Sequence, residues 1–122
     1  GCNVVFVAEA AGQILGMIDG TFDSDLDHEL FDGFPVPDAP HAFITRMHVH
    51  ESVRSQGVGT GLIWRFAGEA VARRCTFIGG SIDHSSDPGP RRVFFKKCGF
   101  DVSPCDNIGG LPDTVRSAIS SL

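Results

Sequence analysis

With 122 residues, 42% hydrophobic and 20% charged, the chain is long enough for one domain around a single core and has the make-up of a soluble globular protein. A formal net charge of −5 excludes a general nucleic-acid binder, because phosphate contacts need a basic surface. No apolar run approaches the roughly 20 residues of a membrane span, and Gly1-Cys2-Asn3 has no basic lead into a secretory leader.

Asn3 to Glu9 is rich in Val and Phe, Ala11-Gly12-Gln13 is turn-forming, and Ile14 to Phe22 follows, so the spacing predicts a β-hairpin. Residues 23–40 carry six acidic side chains and three prolines without periodicity, which predicts a loop, and loops of that length are often functional. Ala42 to His50 reads as the next strand. Simple alternation puts Phe43, Thr45, Met47 and Val49 on one face and Ile44, Arg46, His48 and His50 on the other. Thr60 to Arg74 has helical periodicity, with Leu62, Ile63, Phe66, Ala67, Ala70 and Val71 in one stripe and Arg65, Glu69 and Arg73 opposite.

Cys75 to Ile82 predicts a strand interrupted by Gly79-Gly80, and Asp83 to Pro90 a turn. Arg91 to Cys98 predicts a short helix that Gly99 ends through a left-handed cap. Phe100 to Val102 starts a strand, and Pro112 to Leu122 predicts a terminal helix. The order β-β-loop-β-α-β-α-β gives an α/β domain with a mixed sheet over residues 1–122. Cys2, Cys75, Cys98 and Cys105 form no C-x-x-C pair and no zinc spacing, so Cys75 and Cys98 read as small buried residues and the thiols as those of a cytoplasmic protein. His48 and His50 have no third ligand in view, and no metal site is expected.

The stretch that carries chemistry is Val49-His50-Glu51-Ser52-Val53-Arg54-Ser55-Gln56-Gly57-Val58-Gly59-Thr60-Gly61-Leu62. A strand, an arginine, a glycine-spaced turn and a helix in that order aim several N–H groups into one concavity at the positive end of the helix, a seat for phosphate or pyrophosphate. A dinucleotide fingerprint would need a third glycine where Leu62 stands. A Walker loop would need a lysine, and the first lysine is Lys96.

Arg54-x-x-Gly57-x-Gly59 after Met47-His48-Val49-His50 resembles the acyl-CoA signature of the GNAT superfamily of N-acyltransferases. Phe94-Phe95-Lys96-Lys97-Cys98-Gly99-Phe100 is similar to that family's aromatic-Tyr-x-x-x-Gly-Phe ending. The resemblance runs from about residue 3 to about 102 and implies a mixed, mostly antiparallel sheet flanked by helices. It implies acetyl-CoA held by the backbone of Met47, His48 and Val49 and by Arg54, Ser55, Gln56, Gly57, Val58, Gly59 and Thr60, with Phe95 against the pantetheine arm. The family's usual first strand and two helices would precede the hairpin, so an N-terminally short form is expected.

The reaction implied is acetyl transfer to a primary amine by direct attack, on a small-molecule or lysine-bearing acceptor, which raises two proton tasks. Phe95 stands where the family places its tyrosine, and the sequence has no tyrosine, so the acid role has no occupant. Thr45 stands where many relatives carry glutamate. His48 is favoured as base over His50 and Glu51, because imidazole titrates within reach of neutral pH. The alternative is a catalytically weak acyl-CoA-binding module acting as sensor or partner subunit.

Asp19, Asp23, Asp25, Asp27, Glu29 and Asp32 would either steer a cationic acceptor or form a solvated loop. Ser86 or Asp87 would take the place of a family asparagine ahead of the aromatic pair, with Arg91 or Arg92 near the CoA phosphates. An unpaired sheet edge would suit a homodimer.

Overall fold

The computed structural model describes residues 3–29, 31, 33–84 and 87–122. Six strands and three helices follow one another as β1 (Val4–Ala10), β2 (Gln13–Ser24), β3 (His41–Val49), α1 (Val58–Ala72), β4 (Ile78–Ser81), α2 (Gly89–Lys97), β5 (Asp101–Val102), β6 (Asn107–Gly110) and α3 (Pro112–Ser120). The sheet order is β1-β2-β3-β4-β6-β5. Only the β3–β4 pair is parallel, because α1 provides the crossover between them. This is the mixed, mostly antiparallel sheet with flanking helices that the sequence implied. Strand β6 was not foreseen, and it slots between β4 and β5.

Alternation along β1 turns Val4, Phe6 and Ala8 onto the core and leaves Val5 and Val7 exposed. Helix α1 buries Leu62, Ile63, Phe66, Ala67 and Ala70 against Ile18, Ile44, Ile78 and Ile108 of the sheet. Val71, expected in that stripe, is exposed instead. Phe95 of α2 and Val115 of α3 join the same core. Fully buried Phe66 stacks near Phe22, with centroids 4.7 Å apart, and its truncation to alanine would cost about 3–5 kcal/mol. Gly99 ends α2 at φ 90°, in the left-handed cap the sequence called for.

The opposite face of the sheet holds the segment expected to be a free loop. Strand β2 continues to Ser24, and Phe31 and Phe34 then pack on Phe77 over Gly79 and Gly109, where a Cβ would collide with these side chains. His41, fully buried, accepts the Leu26 N–H at Nδ1 (2.9 Å), so its Nε2 carries the proton donated to the Pro37 carbonyl (2.6 Å). That imidazole fastens both ends of the acidic segment to the start of β3.

A bulge in β3 changes which side chains share a face. Asp19 pairs with Arg46 and Gly20 with Ile44, so Thr45 is the extra residue. The shift of parity puts Met47 and Val49 on the α1 side together with Ala42 and Ile44, against the simple alternation expected above. Arg46 and His48 consequently share the face turned away from α1.

Candidate active site: a cleft between β3 and β4

Strands β3 and β4 pair over Ala42–Ile44 and Ile78–Gly80, after which β3 runs on to Val49 with no partner on that side among the described residues. The two strands therefore part like a V. The gap opens into a cleft of about 1280 Å³ whose lining includes Thr45 to Val49, Arg54, Gly57, Gly59, Thr60, Arg91, Phe94 and Phe95. The residues singled out from the sequence thus come together. Gln56 and Val58 flank the glycines without lining the cleft, and Ser55 does line it.

At one end of the cleft the chain leaves β3 through a single 3-10 turn, Glu51–Val53, capped by His50, whose Nδ1 accepts the Ser52 N–H (3.2 Å). His50 takes part in that cap and is not among the residues that line the cleft. Arg54 is exposed, with Nε 3.4 Å from the Val49 carbonyl and Nη1 4.0 Å from Glu51. Gly57 has φ 86° and is the residue before the first turn of α1, which begins at Val58, earlier than expected. A side chain is disfavoured at that φ. The N–H groups of Val58, Gly59 and Thr60 make no backbone hydrogen bond among the described residues, while Gly61 already bonds back to Gly57 (3.0 Å). Three donors and the helix dipole thus converge on one spot.

Gly59 lets α2 approach, since a Cβ there would sit 3.2 Å from the Phe94 ring. Thr60, in the first turn of α1, faces the Cys98 thiol at the end of α2. Burial pushes Cys98 up to about 11, Thr60 offsetting part of that rise. Cys75 is also raised by burial, and its thiol donates to the Phe22 carbonyl (3.1 Å). Cys75 and Cys98 are buried as expected, Cys105 is exposed, and Cys2 lies outside the described residues.

Along the unpaired stretch of β3, four residues past Ile44 and next to Val49, His48 is exposed and its imidazole has no hydrogen bond among the described residues. Phe95 is buried, edge-on to Phe94 at 5.2 Å and to Phe100 at 5.6 Å, and lines the cleft without any group to donate a proton. Arg46 was not singled out from the sequence. Its Nη2 and Nε lie 2.7 and 3.2 Å from Oδ2 of Asp19, which holds the guanidinium pKa above its ordinary value by hydrogen bonding and charge. Asp19, grouped above with the acidic loop, is instead a fully buried residue of β2.

Of the described residues in 23–40 none lines the cleft, and Asp23, Asp25, Asp27 and Glu29 are exposed, as in the solvated-loop alternative, while Phe31, Phe34 and His41 hold the segment on the face of the sheet away from α1. Arg92 is turned away to Asp106 and the Ser103 carbonyl; Arg91, which lines the cleft and donates to the Asp83 carbonyl (2.8 Å), is the arginine on that wall. The Arg92 hydrogen bond, with His84 beside it, lowers the pKa of Asp106. Asp87 caps α2 through the Gly89 N–H (3.0 Å), and Ser86 and Asp32 lie outside the described residues. Among the described residues no group of three metal-ligating side chains is found, and no helix is long and apolar enough to cross a membrane.

A splayed parallel pair followed by a helix that begins at a glycine turn is the arrangement the comparisons with known proteins can be set against. A sequence profile of the GNAT acetyltransferase domain matches residues 2–102, and the chain belongs to that family. A Bacillus cereus acetyltransferase structure superimposes with a TM-score of 0.60 at 24% identity, over 88% of this chain and 69% of that one. A Staphylococcus aureus protein described as an acetyltransferase gives 0.68 at 20% identity, over 88% and 71%. A Bacillus anthracis protein described as a streptothricin acetyltransferase, solved with acetyl coenzyme A, gives 0.64 at 18%, over 88% and 58%. At these identities the structures speak for the fold. A search of curated protein sequences returns no match.

Proposed function

We propose that this domain transfers an acetyl group from acetyl-CoA to a primary amine. The observation that carries the reading is the continuity of one cleft, from the N–H groups at the start of α1 to the unpaired edge of β3. Val58, Gly59 and Thr60, with Arg54, suit the pyrophosphate. The backbone of Met47, His48 and Val49 suits a peptide-like arm laid alongside β3 as an added strand. The Met47 and Val49 side chains belong to the core and keep that backbone fixed.

Acetyl-CoA supplies an activated thioester; the chain's residues orient it and manage protons. A free β3 N–H near the vertex is suited to the thioester carbonyl oxygen as charge develops there. His48, which lines the cleft with an unengaged imidazole, is suited to take the proton from the incoming ammonium. Phe95 packs but donates nothing, so the departing thiolate takes its proton from water.

A second reading keeps a specific observation on its side: Phe95 in the acid position of a chain without tyrosine fits an acyl-CoA-binding module that turns over slowly, as sensor or partner subunit. Thiol release from acetyl-CoA, followed with a chromogenic disulfide across a panel of amines, separates the two. Amine-dependent release supports the transferase, and tight binding without release for every amine supports the module. Free, buried Cys75 and Cys98 suit the cytoplasm. The β1 edge would serve a homodimer, which sedimentation would detect.

A further inference from the structure

The reacting end of the cleft holds a cation whose position is set by a buried anion. Asp19 is 0% exposed, whereas the Arg46 side chain is 70% exposed and lines the cleft beside His48. Both Nε and Nη2 of Arg46 reach the same oxygen, Oδ2, which also lies 3.4 Å from Asn3 Nδ2. Among the described residues the other oxygen, Oδ1, is buried with no hydrogen-bond partner. A buried carboxylate holds a paired cation firmly, because leaving it uncompensated is costly.

A guanidinium has five N–H donors in a fixed fork. Asp19 takes the Nε–H and one N–H of Nη2. Both N–H groups of Nη1 and the second of Nη2 remain, and Nη1 has no partner among the described residues. One N–H of Nη1 and the free N–H of Nη2 point outward side by side, the edge that matches a carboxylate with two parallel hydrogen bonds. Arg46 stands two residues past Ile44, the last residue of β3 paired with β4, and two before His48 on the same face. It is thus at the reacting end, with the loop of Arg54 and Gly57 at the opposite end of the unpaired strand. None of the described residues of the acidic segment 23–40 is among those that line the cleft.

We infer that Arg46, clamped by Asp19, is a carboxylate receptor, and that the acceptor is a small amino acid whose amine faces His48. The inference rests on the transferase reading above and narrows its acceptor. Arg46 is then a specificity residue and Asp19 a positioning residue.

The test compares kcat/KM for amino acids with that for the matching amines lacking the carboxylate, such as alanine against ethylamine. The amino acid should be preferred by roughly 10- to 100-fold, the range expected of a charge-assisted pair. Arg46→Gln should bring the ratio toward one through a higher amino-acid KM, and Arg46→Lys should restore part of it. Because Arg46→Gln strands the buried carboxylate, the double variant Asp19→Asn/Arg46→Gln repeats the comparison without a stranded charge.

A second readout needs no turnover. In the CoA-bound protein, the Arg46 Nε–H resonance should shift saturably with N-acetylalanine and stay in place with N-ethylacetamide. Equal use of amino acids and plain amines, or no shift with N-acetylalanine in a protein that binds CoA, overturns the inference. Failure to bind CoA or acetyl-CoA at all would instead overturn the transferase reading beneath it.

Discussion

The two ends of the cleft are built from different materials. The cradle at α1 is made of backbone: three N–H donors left over by helix geometry, and a glycine at φ 86° that turns the chain into them. The rest, from the vertex along β3, is made of side chains: Phe95, His48, and an Arg46 aligned by a residue 27 positions earlier. A backbone site tolerates almost any side chain that leaves its glycines alone, so it persists while chemistry varies. A side-chain site can change its substrate or lose its acid by one substitution, as Phe95 illustrates. Cofactor and acceptor specificity are therefore separable in this molecule.

That separation is open to attack from both ends. The largest effect is expected at Gly57→Glu, which forces a side chain into the left-handed region and sets a negative charge beside the phosphate seat. Acetyl-CoA affinity by calorimetry should fall roughly a hundredfold or more. Gly57→Ala, which adds the strain without the charge, should lose about tenfold or less. Equal losses from the two variants would remove charge from the account.

His48→Gln comes next. It changes the reacting end only, so kcat should drop roughly a hundredfold while acetyl-CoA affinity stays within about twofold. A parallel loss of affinity would mean the two ends are not separable. Phe95→Tyr supplies the absent proton donor and should raise kcat by about tenfold at most, since a thiolate is already a fair leaving group.

The smallest effect is in stability against pH. Cys98 is held protonated up to about 11 in the folded chain, whereas an unfolded thiol ionises near 8.5. The folded form therefore binds more protons between these values, and stability falls as pH rises through that window. Cys98→Ala should flatten the fall, as read by urea unfolding at several pH values. Asp106 acts with the opposite sign: its lowered pKa favours the folded state above the usual carboxylate range, and that contribution is lost on acidification.

The sequence made the backbone end readable because helix α1, its glycine turn and the strand before it are contiguous, and each leaves a local mark in period or residue type. The Gly99 cap was readable for the same reason. Thr45 was not, since a bulge adds one residue without demanding any particular side chain, and it reversed the faces of Met47 and Val49 relative to Ile44. The segment 23–40 is the loop its composition predicted, with Asp23, Asp25, Asp27 and Glu29 exposed, but its anchoring by Phe31, Phe34 and buried His41 leaves no periodic mark. Strand β6, only Asn107–Gly110 and half glycine, carries too little pattern to be seen. The Asp19–Arg46 pair is a contact across strands, and its one sequence trace was a lone arginine among apolar strand residues.

The claim on which the rest depends is that the cleft holds an acyl-CoA along β3 with its pyrophosphate at α1. Calorimetric titration with acetyl-CoA, with adenosine diphosphate as the control lacking the pantetheine arm, tests it most directly. Micromolar binding of acetyl-CoA with far weaker binding of the diphosphate is the expected result. A folded protein that binds neither, or binds both alike, would contradict it.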